Sequence, residues 1–416
     1  MFLVKKTTFL QGVTILKDKI MKELAKKNHL IISYLYQFRV LSYDEIKDFL
    51  ANDISTSYLD KLLKTLVKEE YIEKTGYHNN NSFYKILQKG VKYLAKYGIF
   101  KVGSQTLDNL PTILPAYKIR IKEHNTEHQI SLNHFVLRRE QSNTFDYYDE
   151  KYLSTLISGA RPDGLMVDKR MYFLEMDMNT EGTRALNEKW EHYRNFLTSE
   201  SFYNINKDIL VLFILGGRIG IPSTRRAYLR RQILSAFPEL LSPHFNIVIG
   251  TEDELFNIMD SNIAPEIKNI FEEKDYKIGR GEFKNGAFGG FTFDFYICRQ
   301  SAEGRLITKN GEPEEFIIDD LTDGNLYSLS KISSIAFIES SFKFKYNRTI
   351  KCIEVVDSEE EAYRICKELD VFNENIYFTT LSRLRSTSLN TALFQMDRDG
   401  QRWHFSEDSL RVKVEE

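Results

Sequence analysis

One stretch limits the fold more than any other: residues 160–177. Arg161-Pro162-Asp163-Gly164 supplies a turn and Leu165, Met166 and Val167 form an apolar run. Lys169-Arg170 turns again, and Met171 to Leu174 is a second apolar run. Two short apolar runs bounded by turn residues predict a β-hairpin. Antiparallel partners lie roughly 5 Å apart, so the start of one strand stands beside the end of the next. That pairing predicts convergence of Asp163, Glu175 and Asp177 on one edge. Three carboxylates there repel one another unless something positive sits among them. Two readings follow: a divalent-metal site built from hard oxygen ligands, or a solvated strand end.

The chain after the hairpin predicts an α/β core. Thr180-Glu181-Gly182 breaks the strand, and a helix to about Leu197 places Leu186, Trp190, Tyr193 and Leu197 on its inner face. Lys189 and Tyr193 are four apart and share a side. The continuous apolar run Asp208 to Leu215 predicts a central strand covered on both faces. A helix over 226–237 and a strand over 245–249 complete a mixed sheet. Arg218, Arg225, Arg226, Arg230 and Arg231 either track a phosphate backbone or line a solvated helix face.

Pro162-Asp163, one hairpin, then Glu175-x-Asp177 resembles the core of the PD-(D/E)xK nucleases, the restriction-endonuclease-like fold. The string Phe173 to Glu181, with Lys189-Trp190 and Tyr193 in the helix after it, is similar to the replication-relaxation proteins of plasmids and integrative elements, which overlap the mobilisation relaxases. The resemblance spans roughly residues 25 to 260. It implies a DNA nickase with Asp163, Glu175, Asp177 and Lys189 as catalytic residues. Its Mg²⁺ or Mn²⁺ would be held by Asp163, Glu175 and a first-helix glutamate, Glu127, with Asp149 and Glu150 as runners-up. Glu127 has a second reading, as an acid favoured by the helix dipole alone. One departure matters: the superfamily's lysine, two residues after the glutamate, is Asp177 here. A lysine moved onto the following helix would be Lys189, steadying the attacking water or the scissile phosphate. The alternatives are a surface lysine and, for Tyr193, a core residue in place of a phosphate contact.

The N-terminal region carries helical patterns over 10–40. Ser42-Tyr43-Asp44-Glu45 is a capping box, and Ser55 or Ser57 caps a third helix with Leu59, Leu62, Leu63, Leu66 and Val67 as its buried stripe. Residues 71–74 and 83–86 read as a ribbon around the polar loop 76–82, which makes a winged helix. Between Ser55 and Lys101 nine lysines face four acids, a basic patch inside a chain of net charge −2. Thr56, Tyr58, Lys61 and Lys64 are the candidates for the major groove of double-stranded DNA, with Asn80 in the wing and Lys85 on the ribbon at the backbone. The alternative is a protein-binding winged helix whose lysines only keep it soluble.

The domain expectation is a winged helix over 1–100, a linker over 101–125, a nuclease-like domain over 126–260 and an α/β domain over 261–416. In that last domain 312–323 reads as an acidic loop and 288–297 as a strand. Residues 350–380 repeat the order strand, helix, strand without a complete acidic constellation. Three scattered cysteines, Cys298, Cys352 and Cys366, form neither a disulfide framework nor a zinc ligand set. No run approaches a membrane span, and the N-terminus lacks the order of a signal peptide, so the expected compartment is the cytoplasm. Neither a P-loop nor a nucleophile elbow is present. The resemblance, together with the winged-helix pattern, implies a DNA-binding protein of a mobile element that nicks a replication or transfer origin. The alternative is a non-catalytic accessory factor or transcriptional regulator on a degenerate nuclease fold. Expected partners are DNA, other replication or conjugation proteins, and a second copy of the chain.

Overall fold

The computed structural model describes residues 27–78, 81–96, 114–151, 153, 157, 159–179, 181–216, 222–260, 263–279, 286–288, 290–309, 312–405 and 411–413. The protein is multi-domain α/β, and it divides into two compact units: residues 1–209 with 213–219, and 210–212 with 220–416. Among the described residues no helix is long and apolar enough to cross a membrane.

The first unit opens with a winged helix. Helix Lys27–Phe38 buries Ile31, Ile32, Leu35 and Phe38, and strand Val40–Ser42 follows. The capping box forms as expected: Glu45 N donates to Ser42 Oγ at 3.1 Å while Ser42 N donates to Glu45 Oε2 at 2.7 Å. Helix Thr56–Lys68, capped by Ser55, buries Leu59, Leu63 and Leu66. Strands Ile72–His78 and Asn81–Ile86 form the ribbon, with the order 40–42, 81–86, 72–78 in one sheet. The strands run further than the sequence suggests. Gly76, at φ 57, sits in a register shift between Thr75 and Tyr77, so the glycine bends the strand without ending it.

The expected linker is, where described, a docked segment. Ile119 and Ile121 are 3% and 4% exposed, and Ile121 packs with Val40 and Phe83. Two isoleucines two residues apart found an apolar face to cover, and that outweighed the lack of periodicity around them.

Helix Thr126–Ser142 then joins the winged helix to the hairpin core. Its buried Asn133 donates Nδ2 to the carbonyls of Phe38 at 3.1 Å and Val40 at 2.6 Å. Arg39, held at φ 71, reaches Gln129 on the same helix at 3.3 Å. Strands Asp146–Asp149, Gly164–Val167, Met171–Asp177 and Ile209–Leu215 lie in that order in one sheet. The hairpin register pairs Gly164 with Leu174 and Val167 with Met171. Met171 N donates to Asp208 O and Gly216 N to Asp177 O, each at 3.0 Å, so the strand ending at Leu215 runs parallel to the one ending at Asp177. The crossover helix Thr183–Leu197 buries Leu186, Trp190, Tyr193 and Leu197 as its spacing predicts.

The second unit contains helices Pro222–Ala236, Glu252–Asp260 and Ala264–Glu273 and an eight-stranded mixed sheet. Strands Glu315–Asp320, Lys351–Val355 and Ile376–Thr379 are parallel, and Phe295–Cys298 is antiparallel to the first of them. The expected acidic loop over 312–323 is therefore corrected: it holds a central strand with Phe316, Ile317 and Ile318 buried. Its acids misled because they have cationic partners inside the fold, Glu315 with Arg348 and Asp319 with Lys331. The strand expected over 288–297 is broken into Phe291–Thr292 and Phe295–Cys298. The three cysteines are buried thiols outside any disulfide.

Candidate functional site

The hairpin and its crossover helix assemble the site from local geometry. Asp163 donates its backbone N–H to Leu174 O at 2.9 Å, and its Oδ2 accepts from Met176 N at 2.9 Å. The aspartate is thus pinned beside the glutamate strand. Glu175 is fully buried. Its Oε2 accepts from Lys189 Nζ at 2.7 Å and its Oε1 from Tyr193 OH at 2.6 Å. The i, i+4 spacing lets one helix face supply both donors to one carboxylate. Lys189 also meets Glu181 Oε1 at 3.2 Å and lies 5.4 Å from the centre of the Phe213 ring.

A residue the sequence reading missed completes the other side. His128 Nε2 stands 3.3 Å from Asp163 Oδ2 and 3.1 Å from Met176 O. Glu127, the expected ligand, is exposed in the first turn, and its neighbour is the side chain that reaches Asp163. A sequence signal existed: His128 is the other titratable group in that turn.

The charges answer to burial and to each other. Burial pushes Glu175 up to about 7, against the pull of Lys189. Burial alone would lower Lys189, but Glu175, Asp163 and Glu181 together hold its ammonium above the ordinary lysine range. Burial would likewise raise Asp163, but the hydrogen bond and charge of His128 bring it below the usual carboxylate value. His128 is in turn raised, burial being outweighed by Asp163. At the centre two carboxyl groups each meet one nitrogen group of the protein itself, Glu175 with Lys189 and Asp163 with His128. Beside it a cleft of about 180 Å³ is lined by Arg161, Ala185, Glu188, Lys189, His192 and Tyr193.

The remaining expected residues have partners of their own. Asp177 is buried, and its Oδ1 accepts from Asn179 N at 3.2 Å, a local turn that ends the strand. Asp149 and Glu150 face Arg39, at 3.4 and 2.8 Å. As for metal, both oxygens of Glu175 already accept from the lysine and the phenol. Among the described residues no group of three or more His, Cys, Asp or Glu side chains is arranged to hold an ion. In this arrangement the donor set does not fit a divalent cation.

On the winged helix, Thr56, Tyr58, Lys61 and Lys64 are all exposed, Tyr58 at 54%. Lys85 is buried instead, its Nζ donating to Ile121 O at 3.3 Å, and burial lowers its pKa. It braces the docked segment and is corrected from a DNA contact to a structural one. Asn80 and Arg218 lie outside the described residues. Two members of the arginine cluster are corrected as well: Arg226 pairs with Glu254, and the buried Arg230 pairs with Glu361 and Glu368, each at 3.5 Å, while Arg231 is exposed. Those two guanidiniums are engaged by acids of their own unit.

The second unit holds an acidic constellation that the sequence reading did not find. Asp294 precedes strand Phe295–Cys298 as Asp163 precedes Gly164–Val167, and its Oδ2 accepts from Asp320 N at 2.7 Å. Asp319, on the neighbouring strand, accepts from Lys331 Nζ at 2.5 Å, and Lys331 belongs to the next helix, Leu326–Ser333. Aspartate, strand acid and helix lysine repeat in the same order. Glu354 stands in register with Asp319 on the adjacent parallel strand. Among the described residues, Asp319 Oδ2 and Glu354 Oε2 find no hydrogen-bond partner.

The fold and site thus define an α/β protein that joins a winged helix to a hairpin-borne carboxylate–lysine centre. Compared with models of known families the sequence matches none, and no curated protein matches it.

Proposed function

We propose that this protein grips double-stranded DNA through helix Thr56–Lys68 and the adjacent ribbon. It would act as an accessory factor or regulator at a replication or transfer origin of a mobile element. The Asp163/Glu175/Lys189 centre then serves as a nuclease-type framework held closed by the protein's own cations. One observation carries the DNA reading: the helix buries three leucines on one face and presents Thr56, Tyr58, Lys61 and Lys64 on the other. Such a face offers hydroxyl and ammonium donors at the reach of base edges and phosphates. The test is Lys61→Glu with Lys64→Glu, read as duplex affinity across a salt series. Loss of two phosphate contacts flattens the salt slope by about 2 and weakens binding at low salt. Equal binding by variant and unaltered chain rejects the assignment.

A second reading, strand nicking with Mg²⁺ or Mn²⁺, is favoured by one distance. Lys189 stands 2.7 Å from Glu175, supplying the cation that Asp177 cannot. That reading requires Lys189 and His128 to release their carboxylates. It predicts that supercoiled origin DNA becomes open-circular with Mn²⁺, and that Asp163→Ala and Glu175→Ala each abolish the conversion. A plasmid left supercoiled under all metals eliminates it.

A further inference from the structure

The second unit displays aromatic surface that its own core does not use. Helix Ile335–Tyr346 buries Ile335, Ile338 and Phe342, yet Phe337 is 61% exposed and Phe344 is 95% exposed. The two stand seven residues apart, which on an α-helix is two turns along one face and about 10 Å of rise. Ser340 and Ser341 lie between them on that same stripe. An open groove of about 770 Å³ runs along it, bordered by Phe288 and Gly290, where strand Ala287–Phe288 pairs with Phe291–Thr292, and by Lys345 and Tyr346. Lys343 and Lys345 flank Phe344 and are both exposed, and among the described residues no acidic side chain lines the groove.

We infer that this face binds single-stranded DNA, with unpaired bases stacking on Phe337 and Phe344 and the phosphates running past Lys343 and Lys345. A fully exposed phenylalanine is costly in water and marks a binding surface when it is part of a patch. Aromatic platforms edged by lysines are the arrangement that holds single strands without reading their sequence. The chemistry favours a single strand over a duplex because paired bases hide their faces in the stack. It also disfavours a second copy of the chain as the occupant. A two-fold contact sets a patch against itself, which would place these lysines opposite each other in a closed apolar seam. This surface belongs to the second unit and helix Thr56–Lys68 to the first, so either assignment can fail without the other.

The experiment uses the full chain and a fluorescein-labelled oligothymidylate of about 12 nucleotides, within the usual site size for such surfaces. Phe337→Ala with Phe344→Ala is expected to weaken binding of the oligonucleotide by at least about tenfold and to leave duplex binding unchanged. Lys61→Glu with Lys64→Glu is expected to do the reverse. Both phenylalanines are exposed, so the variant should melt with the unaltered chain. Phe344→Trp provides a direct probe whose emission should be quenched when the oligonucleotide is added. Single-strand affinity within twofold of the unaltered chain, or a Trp emission that ignores the oligonucleotide, overturns the inference. So does a phenylalanine variant that abolishes self-association while still binding the oligonucleotide.

Discussion

The two units solve the same electrostatic problem to different depths. In the first, Glu175 is buried under Lys189 and Tyr193, but the surroundings stay partly open: side-chain exposure is 21% at Asp163, 34% at His128 and 16% at Lys189. In the second, Asp319 and Lys331 are 0% and 2% exposed, with Glu354 added beside them. The first centre faces a cleft and keeps a partly exposed histidine. The second has become part of the core. A strand acid neutralised by a lysine from the next helix is therefore a structural device that either unit can carry, and access decides which copy can meet a ligand.

The sharpest way to break that comparison is to remove each lysine. Lys331→Met leaves Asp319 and Glu354 buried without their cation, and an uncompensated buried charge costs about 3–5 kcal/mol. Lys189→Met should cost less, about 1–3 kcal/mol, because Tyr193 still donates to Glu175 and His128 still neutralises Asp163. Denaturant unfolding of the two variants measures the difference. Equal losses would mean that the first centre is as closed as the second.

The pH dependence sharpens the comparison next. Burial raises Glu175 to about 7 from its ordinary 4.5, so the folded state holds a proton there that the unfolded state has released. Below the ordinary value both states are protonated and the group is neutral to stability. As pH rises through that window stability falls, by at most about 3 kcal/mol from this group. Asp319 is raised to about 7 by burial as well and acts in the same direction. Glu175→Gln removes the first contribution and leaves the second. Relative to the unaltered chain, the variant should gain about 1–3 kcal/mol between about pH 4.5 and pH 8. An unchanged slope would show that Lys189 keeps Glu175 charged throughout.

What could be read from sequence follows the reach of each interaction. The winged helix, the hairpin and the helix with Leu186, Trp190, Tyr193 and Leu197 were legible because capping, turn chemistry and periodicity act within a few residues. Lys189 was named through the resemblance, as a contact for water or phosphate, and the structure sets its ammonium on Glu175. The second centre was not. A long connection over 299–314 separates its two strands, where the first hairpin needs only a tight turn. Its acids resembled a solvated loop although Lys331 is as near to Asp319 in the chain as Lys189 is to Glu175; the run over 312–323 is dense in acids, and Arg348, the partner of Glu315, comes from further along. Lys85 and Arg230 misled in the opposite sense. Each is a cation that sequence places on a basic face, and the fold turns it inward to a carbonyl or an acid.

The smallest predicted effect separates two neighbours on one helix. Glu127 and His128 are adjacent, so their side chains leave the helix about 100° apart and cannot both face Asp163. The imidazole is the one that does, with one contact to the carboxylate and one to Met176 O. His128→Ala should therefore cost about 1–2 kcal/mol and let the Asp163 carboxyl rise back toward its ordinary range, because the hydrogen bond that lowers it is gone. Glu127→Ala, at an exposed position, should change stability by no more than about 0.5 kcal/mol. A carboxyl-detected NMR titration of Asp163 in both variants reads the distinction directly. If Glu127→Ala moved Asp163 as far as His128→Ala, the glutamate would regain its claim on the site, and the first centre would have three acids where the second has its own three, Asp294, Asp319 and Glu354.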